Sequence, residues 1–170
     1  EDVGVYQYLI TRDSSEIPID AYDLYNLHKL IRKRKPSQPI ELGSGFSTIV
    51  QAHALMQNHQ DNGDLPPDPN LHGNSPHGIL YSREASEYWF ENSRSKIPDF
   101  LLPYVDLQYS PAKLILIEGE LCHCYTNLPN INPDFFYLDG PAGEDVEGTI
   151  NGLSFISESG KVIPPVSADP

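Results

Sequence analysis

Apolar and polar positions follow two rhythms along this chain. Over residues 20–35 the spacing is helical: Leu24, Leu27, Leu30 and Ile31 share a face, Asp20 can cap the start, and Pro36 stops the helix. That helix is expected to pack on a sheet or cover its edge. Residues 40–42 form a short apolar run, read as a buried strand, and Gly43-Ser44-Gly45 reads as the turn after it. Ile49, Val50, His53 and Met56 then recur at helical spacing over 46–58. Residues 57–77 are polar and rich in Asn, Asp, Pro and Gly, the composition of a mobile insertion. Apolar runs at 78–82 (closing on Arg83-Glu84), 105–109 and 134–138 read as strands, 85–95 as a helix and 98–104 as a helical turn. Residues 114–117 and 121–125, joined through Glu118-Gly119, read as a hairpin. Residues 1–18 and those after Gly143 carry little pattern.

This order predicts an α/β fold: a mainly parallel sheet with helices on both faces, plus a β-hairpin. Residues 1–36 read as an N-terminal helical extension and 37–170 as the ligand-binding domain. Four central strands are legible and nothing clear follows Gly143, so the sheet is expected to be incomplete. An incomplete sheet leaves an edge open to pairing.

At 170 residues the chain is one domain or part of a larger protein, and 39% hydrophobic residues suffice for a core. The net charge of −13 excludes a basic face for a nucleic-acid backbone. The run Arg32-Lys33-Arg34-Lys35 reads as cations at the end of a helix. No apolar run approaches the ~18 residues of a membrane span. Two cysteines make no disulfide framework and favour a reducing compartment, so a cytoplasmic location is expected. No secretory signal is visible, although a start at Glu1 leaves room for a removed leader. Cys122-His123-Cys124 is spaced too tightly for a metal site, and strand alternation turns His123 away from the cysteines. His72 and His77 read as solvated, and Trp89 as core. Oligomeric state is not encoded legibly.

The candidate chemistry sits at strand ends, where open α/β sheets bind ligands. Gly43-Ser44-Gly45 lies between a strand and a helix whose N-terminus attracts anions, and Glu41 precedes it. A plain tight turn is the competing reading. No Lys follows to make a phosphate-binding loop, and Thr48 stands where a dinucleotide fingerprint needs its third small residue. Glu84 ends the second strand, where a carboxylate can hold a ribose diol; the alternative is an ordinary helix-start acid. Asp139 ends the last strand ahead of Gly140-Pro141. It could bind metal, act as a base or order a turn.

Together Glu41-Leu42-Gly43-Ser44-Gly45, Tyr81-Ser82-Arg83-Glu84 and the segment 135–141 resemble the class I S-adenosylmethionine-dependent methyltransferases, which are Rossmann-like. The resemblance covers about 37–142. It implies Glu41 near the methionyl amine, directly or through water, Gly43, Ser44 and Gly45 at the cofactor, and Ser47 and Thr48 at its carboxylate. It further implies Glu84 on the ribose, Tyr109 and Ser110 near the adenine, and Asp139 facing the transfer site as its catalytic candidate. The acceptor expected is a small molecule or glycan, methylated on O or N. In metal-dependent relatives an Asp at this strand end holds Mg²⁺, but its companion ligands are not legible here and Mg²⁺ has no support. The rival readings are a non-catalytic Rossmann-like module and a dehydrogenase, the latter disfavoured by Thr48.

Overall fold

A computed structural model describes residues 20–63, 66 and 78–156. The expectations for residues 1–19, for most of the 57–77 insertion with His72 and His77, and for the last residues lie outside the described residues.

Helix α1 (Ala21–Arg34) starts where Asp20 accepts hydrogen bonds from the Tyr22 and Asp23 amides, at 2.9 and 3.2 Å. Lys35, in the left-handed region, closes it by donating its amide to Ile31 O. The buried stripe is Leu27, His28 and Ile31, and it packs chiefly along the next helix. Leu30, expected inside, is 40% exposed. A helix resting on one neighbour buries a narrow stripe, and His28 takes the inner position by pairing with His53 (Nε2 to Nδ1, 3.1 Å).

Strand β1 (Pro39–Leu42) is wholly buried. Helix α2 (Phe46–Asn62) runs one turn beyond the expected end at 58, because Asn58 and His59 are buried and Gly63 adopts a left-handed cap. Asn58 donates to Ile31 O and accepts from Arg32, so that polar turn belongs to the α1–α2 seam and not to a loop. Strand β2 (Leu80–Glu84), helix α3 (Glu87–Lys96), a 3₁₀ segment (Asp99–Tyr104), strand β3 (Val105–Tyr109) and strand β6 (Phe135–Leu138) complete the main unit. Its strands lie in the order β3–β2–β1–β6, all parallel. The chain therefore reverses its direction of travel across the sheet between β1 and β6. That reversal opens a crevice at the carboxyl ends of those strands.

Two cores hold the sheet. On one face Ile49, Ala52 and Leu55 of α2 meet Leu80, Leu101 and Tyr104. Each fully buried aliphatic side chain there stabilises by about 1.5–3 kcal/mol. On the other face Ile40, Leu42 and Tyr81 meet a smaller sheet through Ala112, Leu114, Tyr125 and Val146. That smaller sheet is the expected hairpin, β4 (Ala112–Ile117) and β5 (Glu120–Tyr125), with β7 (Val146–Glu147) added parallel to β4. Glu118 and Gly119 both have positive φ, the turn that matches the twist of a two-residue hairpin. At two residues, β7 is too short to leave a pattern in the sequence. Among the described residues strand β6 is an edge, with Phe136 and Leu138 38% and 51% exposed. Among the described residues no helix is long and apolar enough to cross a membrane.

Candidate functional site

The ends of β1, β2 and β6 are tied together by their own backbone. Gly43 donates its amide to Arg83 O at 2.8 Å, and Asp139 donates its amide to Leu42 O at 2.8 Å. Gly43 has φ +91°, and a Cβ there would stand 2.7 Å from both Asp139 C and Gly140 N. Its missing side chain admits the β6 turn, and the residue also lines the cleft beside it. Gly45 differs. Its backbone is extended, and a Cβ built on it meets nothing within 4 Å. Open space begins at Gly45.

That space is a cleft of about 450 Å³. The turn 43–47 forms its base, with Glu84 and the Trp89, Ser93 and Lys96 face of α3 on one side. Tyr137, Asp139 and the 140–142 turn stand opposite, and Asp20, Asp23 and Leu24 of α1 close another wall. Trp89, expected in the core, is half-buried on this wall with its ring edge-on to Tyr88. Helix α3 buries little but Ser93, so its aromatic face is left to the cleft and to solvent.

Glu84 anchors the arrangement. Its Oε2 accepts the Ser44 amide at 2.7 Å and the Ser44 hydroxyl at 2.9 Å, and its Oε1 accepts the Ser86 amide at 3.0 Å. Ser44 Oγ also lies 2.9 Å from Ser93 Oγ. The acid expected at a ribose therefore stands at the cleft and braces the glycine turn.

Glu41, expected near the methionyl amine directly or through water, lies beneath the cleft. It is fully buried on the α2 side of β1 and does not line the cleft. Its carboxylate accepts from Ser47 Oγ (2.6 Å), Thr48 Oγ1 (2.6 Å), Gln51 Nε2 (2.7 Å) and Ser82 Oγ (2.7 Å). Burial outweighs these donors and pushes its pKa up to about 7, with the charge of Asp139 adding to the rise. Thr48, buried beside it, also accepts the Gly45 amide at 3.0 Å, so it fixes the helix start and faces no ligand. Ser47 touches the cleft, but its hydroxyl turns down to Glu41. Tyr109 and Ser110 lie beyond the cleft lining: Tyr109 is paired with Glu84 in the β2–β3 ladder. Ser110 is buried, donates its amide to Glu84 O and accepts the Asn127 amide. The two glycines, Ser44, Ser47, Glu84 and Asp139 are thus brought together, and Glu41, Thr48, Tyr109 and Ser110 are not.

The cleft is acidic. Asp20, Asp23, Glu84, Asp139 and Asp145 line it, with Lys96 the cation among the lining residues, its ammonium 5.5 Å from the Phe46 ring centre. Asp139 is accessible, yet the surrounding protein raises its pKa and the charge of Glu84 raises it further. Burial, then Glu84 and Glu144, raise Asp145 against a bond from Ser86. Tyr137 is pushed up to about 12 by burial and by Asp139, Glu41 and Asp23. Among the described residues no three His, Cys, Asp or Glu side chains are grouped to hold a metal.

No protein-family model and no curated protein matches the sequence. Among solved structures, the chain is similar to an O-methyltransferase from Bacillus cereus in complex with SAH. The identity is 20% and the TM-score 0.41, over 62% of this chain and 47% of that one. The chain thus spans about half the length of that structure, and an overlap of this extent carries no argument by itself.

Proposed function

We propose that the cleft binds S-adenosylmethionine and that the chain is the cofactor-binding part of a methyltransferase. Its acceptor is a small molecule or glycan, methylated at oxygen or nitrogen. The observation that carries this reading is the joint placement of Gly45 and Glu84. A ligand can reach backbone without a side chain at Gly45 while its sugar hydroxyls meet a carboxylate at the end of the neighbouring strand. The charge of the cleft sorts the nucleotide class. Among the described residues, five lining carboxylates against one ammonium oppose a pyrophosphate and favour a sulfonium cation.

The bound sulfonium would supply an activated methyl group to the acceptor atom and depart as a neutral thioether. The chain's part is to align the reactants and exclude water. A hydroxyl acceptor also needs a base, and Asp139, with its raised pKa on the accessible wall, is the residue assigned to take that proton.

S-adenosylhomocysteine at about a hundred times its dissociation constant stabilises a binding fold by ~2.7 kcal/mol. The melting temperature is then expected to rise by roughly 5–10 °C. A rise with NAD and none with S-adenosylhomocysteine contradicts the proposal. One observation favours a second reading, a non-catalytic ligand-binding module: Glu41 is sealed below the cleft and cannot serve a ligand directly. Binding without transfer to any O or N acceptor in a broad panel distinguishes it.

A further inference from the structure

A carboxylate can hold a vicinal diol with one hydroxyl on each oxygen, provided that both oxygens have a free lone pair. On Glu84 they are unequally free. Oε1 accepts a single bond, from the Ser86 amide. Oε2 already accepts two, from the amide and the hydroxyl of Ser44. The amide bond belongs to the turn and stays. The hydroxyl bond is different, because Ser44 Oγ has a second partner within reach, Ser93 Oγ at 2.9 Å. A hydroxyl carries one proton and can direct it to Glu84 or to Ser93, but not to both.

We propose that Ser44 is a positioning residue that sets nucleoside selectivity, its hydroxyl holding one of the two diol positions on Glu84 until a ligand hydroxyl displaces it toward Ser93. This rests on the nucleoside reading of the cleft. In the free chain the Ser44 hydroxyl stands in for a sugar hydroxyl. In the bound chain it turns to Ser93 and releases Oε2, while Oε1 takes the other sugar hydroxyl. Ser44 and Ser93 both line the cleft, so the exchange occurs at the ligand surface. A consequence follows for specificity. When a ligand lacks the hydroxyl meant for Oε2, Ser44 returns to the position and Glu84 is not left with an unfilled acceptor. Discrimination against one of the two deoxynucleosides is therefore weak in the natural chain and strong once the Ser44 hydroxyl is gone.

The test is a calorimetric titration of S-adenosylhomocysteine and its 2′-deoxy and 3′-deoxy counterparts into the natural chain and into Ser44→Ala. In the natural chain one deoxy counterpart binds within about threefold of the parent. In Ser44→Ala the same compound is weaker than the parent by about tenfold or more, the usual cost of a lost hydrogen bond to a charged group. Equal ratios in the two proteins overturn the assignment. Ser93→Ala tests it independently: with its second partner removed, Ser44 stays on Glu84 and the parent binds several-fold more weakly. An unchanged affinity in Ser93→Ala also counts against it. Parent binding with equal ratios sinks the Ser44 assignment alone, whereas no binding of the parent to the natural chain sinks the nucleoside reading and this inference with it.

Discussion

The two glycines of the β1–α2 turn make opposite demands, and alanine at each separates them. Gly43→Ala forces a side chain onto φ +91°, a region that costs a non-glycine residue about 1–3 kcal/mol. Its Cβ also meets backbone atoms of Asp139 and Gly140 at 2.7 Å, and backbone cannot rotate aside as a long side chain can. Overpacking of that kind adds about 1–3 kcal/mol. Gly43→Ala is therefore expected to lose about 2–6 kcal/mol, a large part of the 5–15 kcal/mol typical of a domain. Gly45→Ala has extended backbone and empty space around the new methyl, so its stability should stay within about 0.5 kcal/mol of the natural chain. The same methyl projects into the cleft and should weaken S-adenosylhomocysteine binding. Urea denaturation followed by circular dichroism, with calorimetric titration of the folded variants, reads both quantities. A Gly43→Ala protein as stable as the parent refutes the close approach of the strand ends. A Gly45→Ala protein destabilised like Gly43→Ala, or binding unchanged, refutes the open space at Gly45.

Three further outcomes are expected. Trp89 is the single tryptophan and lines the cleft, so S-adenosylhomocysteine should change its fluorescence saturably; a flat titration contradicts the cleft assignment. Asp139→Asn should slow transfer to a hydroxyl acceptor by roughly 10²–10⁴-fold with little change in S-adenosylhomocysteine affinity; unchanged turnover removes Asp139 as the base. Burial, then His53 and Arg32, hold the His28 pKa down at about 4 instead of 6.5, so the unfolded chain binds a proton first as pH falls. This contribution to stability is complete above 6.5 and is lost toward pH 4, by up to about 3 kcal/mol. Glu41 acts in reverse, losing stability as pH rises from 4.5 through 7, so the His28 effect is read as the difference between the natural chain and His28→Leu; a pH-independent difference refutes it.

The succession of strands along the chain could be read because three of the four central strands end at a visible marker: Gly43 after β1, Glu84 in β2, Asp139 after β6. The Glu118-Gly119 turn likewise announced the hairpin. What periodicity could not give was the partner of each face. Leu30 looks as apolar as Leu27, and only the seat of α1 on α2 decides that His28 goes inside. The polar run at 57–62 looked like loop because Asn58 and His59 are polar, yet the seam with Ile31 and Arg32 satisfies Asn58 and the His59 ring packs edge-on to Tyr104. Within the site, Glu84, Asp139 and the turn, singled out by strand-end position, line one cleft. Strand alternation held a clue that was missed for Glu41: Ile40 and Leu42 face the smaller sheet, so Glu41 faces α2 and its hydroxyl donors. The cleft walls from α1 and α3 carry no signature beyond Asp20 and Trp89 themselves, which read equally as a cap and a core aromatic.

The central claim is that one ligand spans Gly45 and Glu84. Calorimetric titration of S-adenosylhomocysteine into the natural chain and into Glu84→Ala tests it most directly. The account predicts one-to-one binding that the variant, still folded, weakens by about tenfold or more. Equal affinity in both proteins, or no heat of binding in the natural chain, contradicts it.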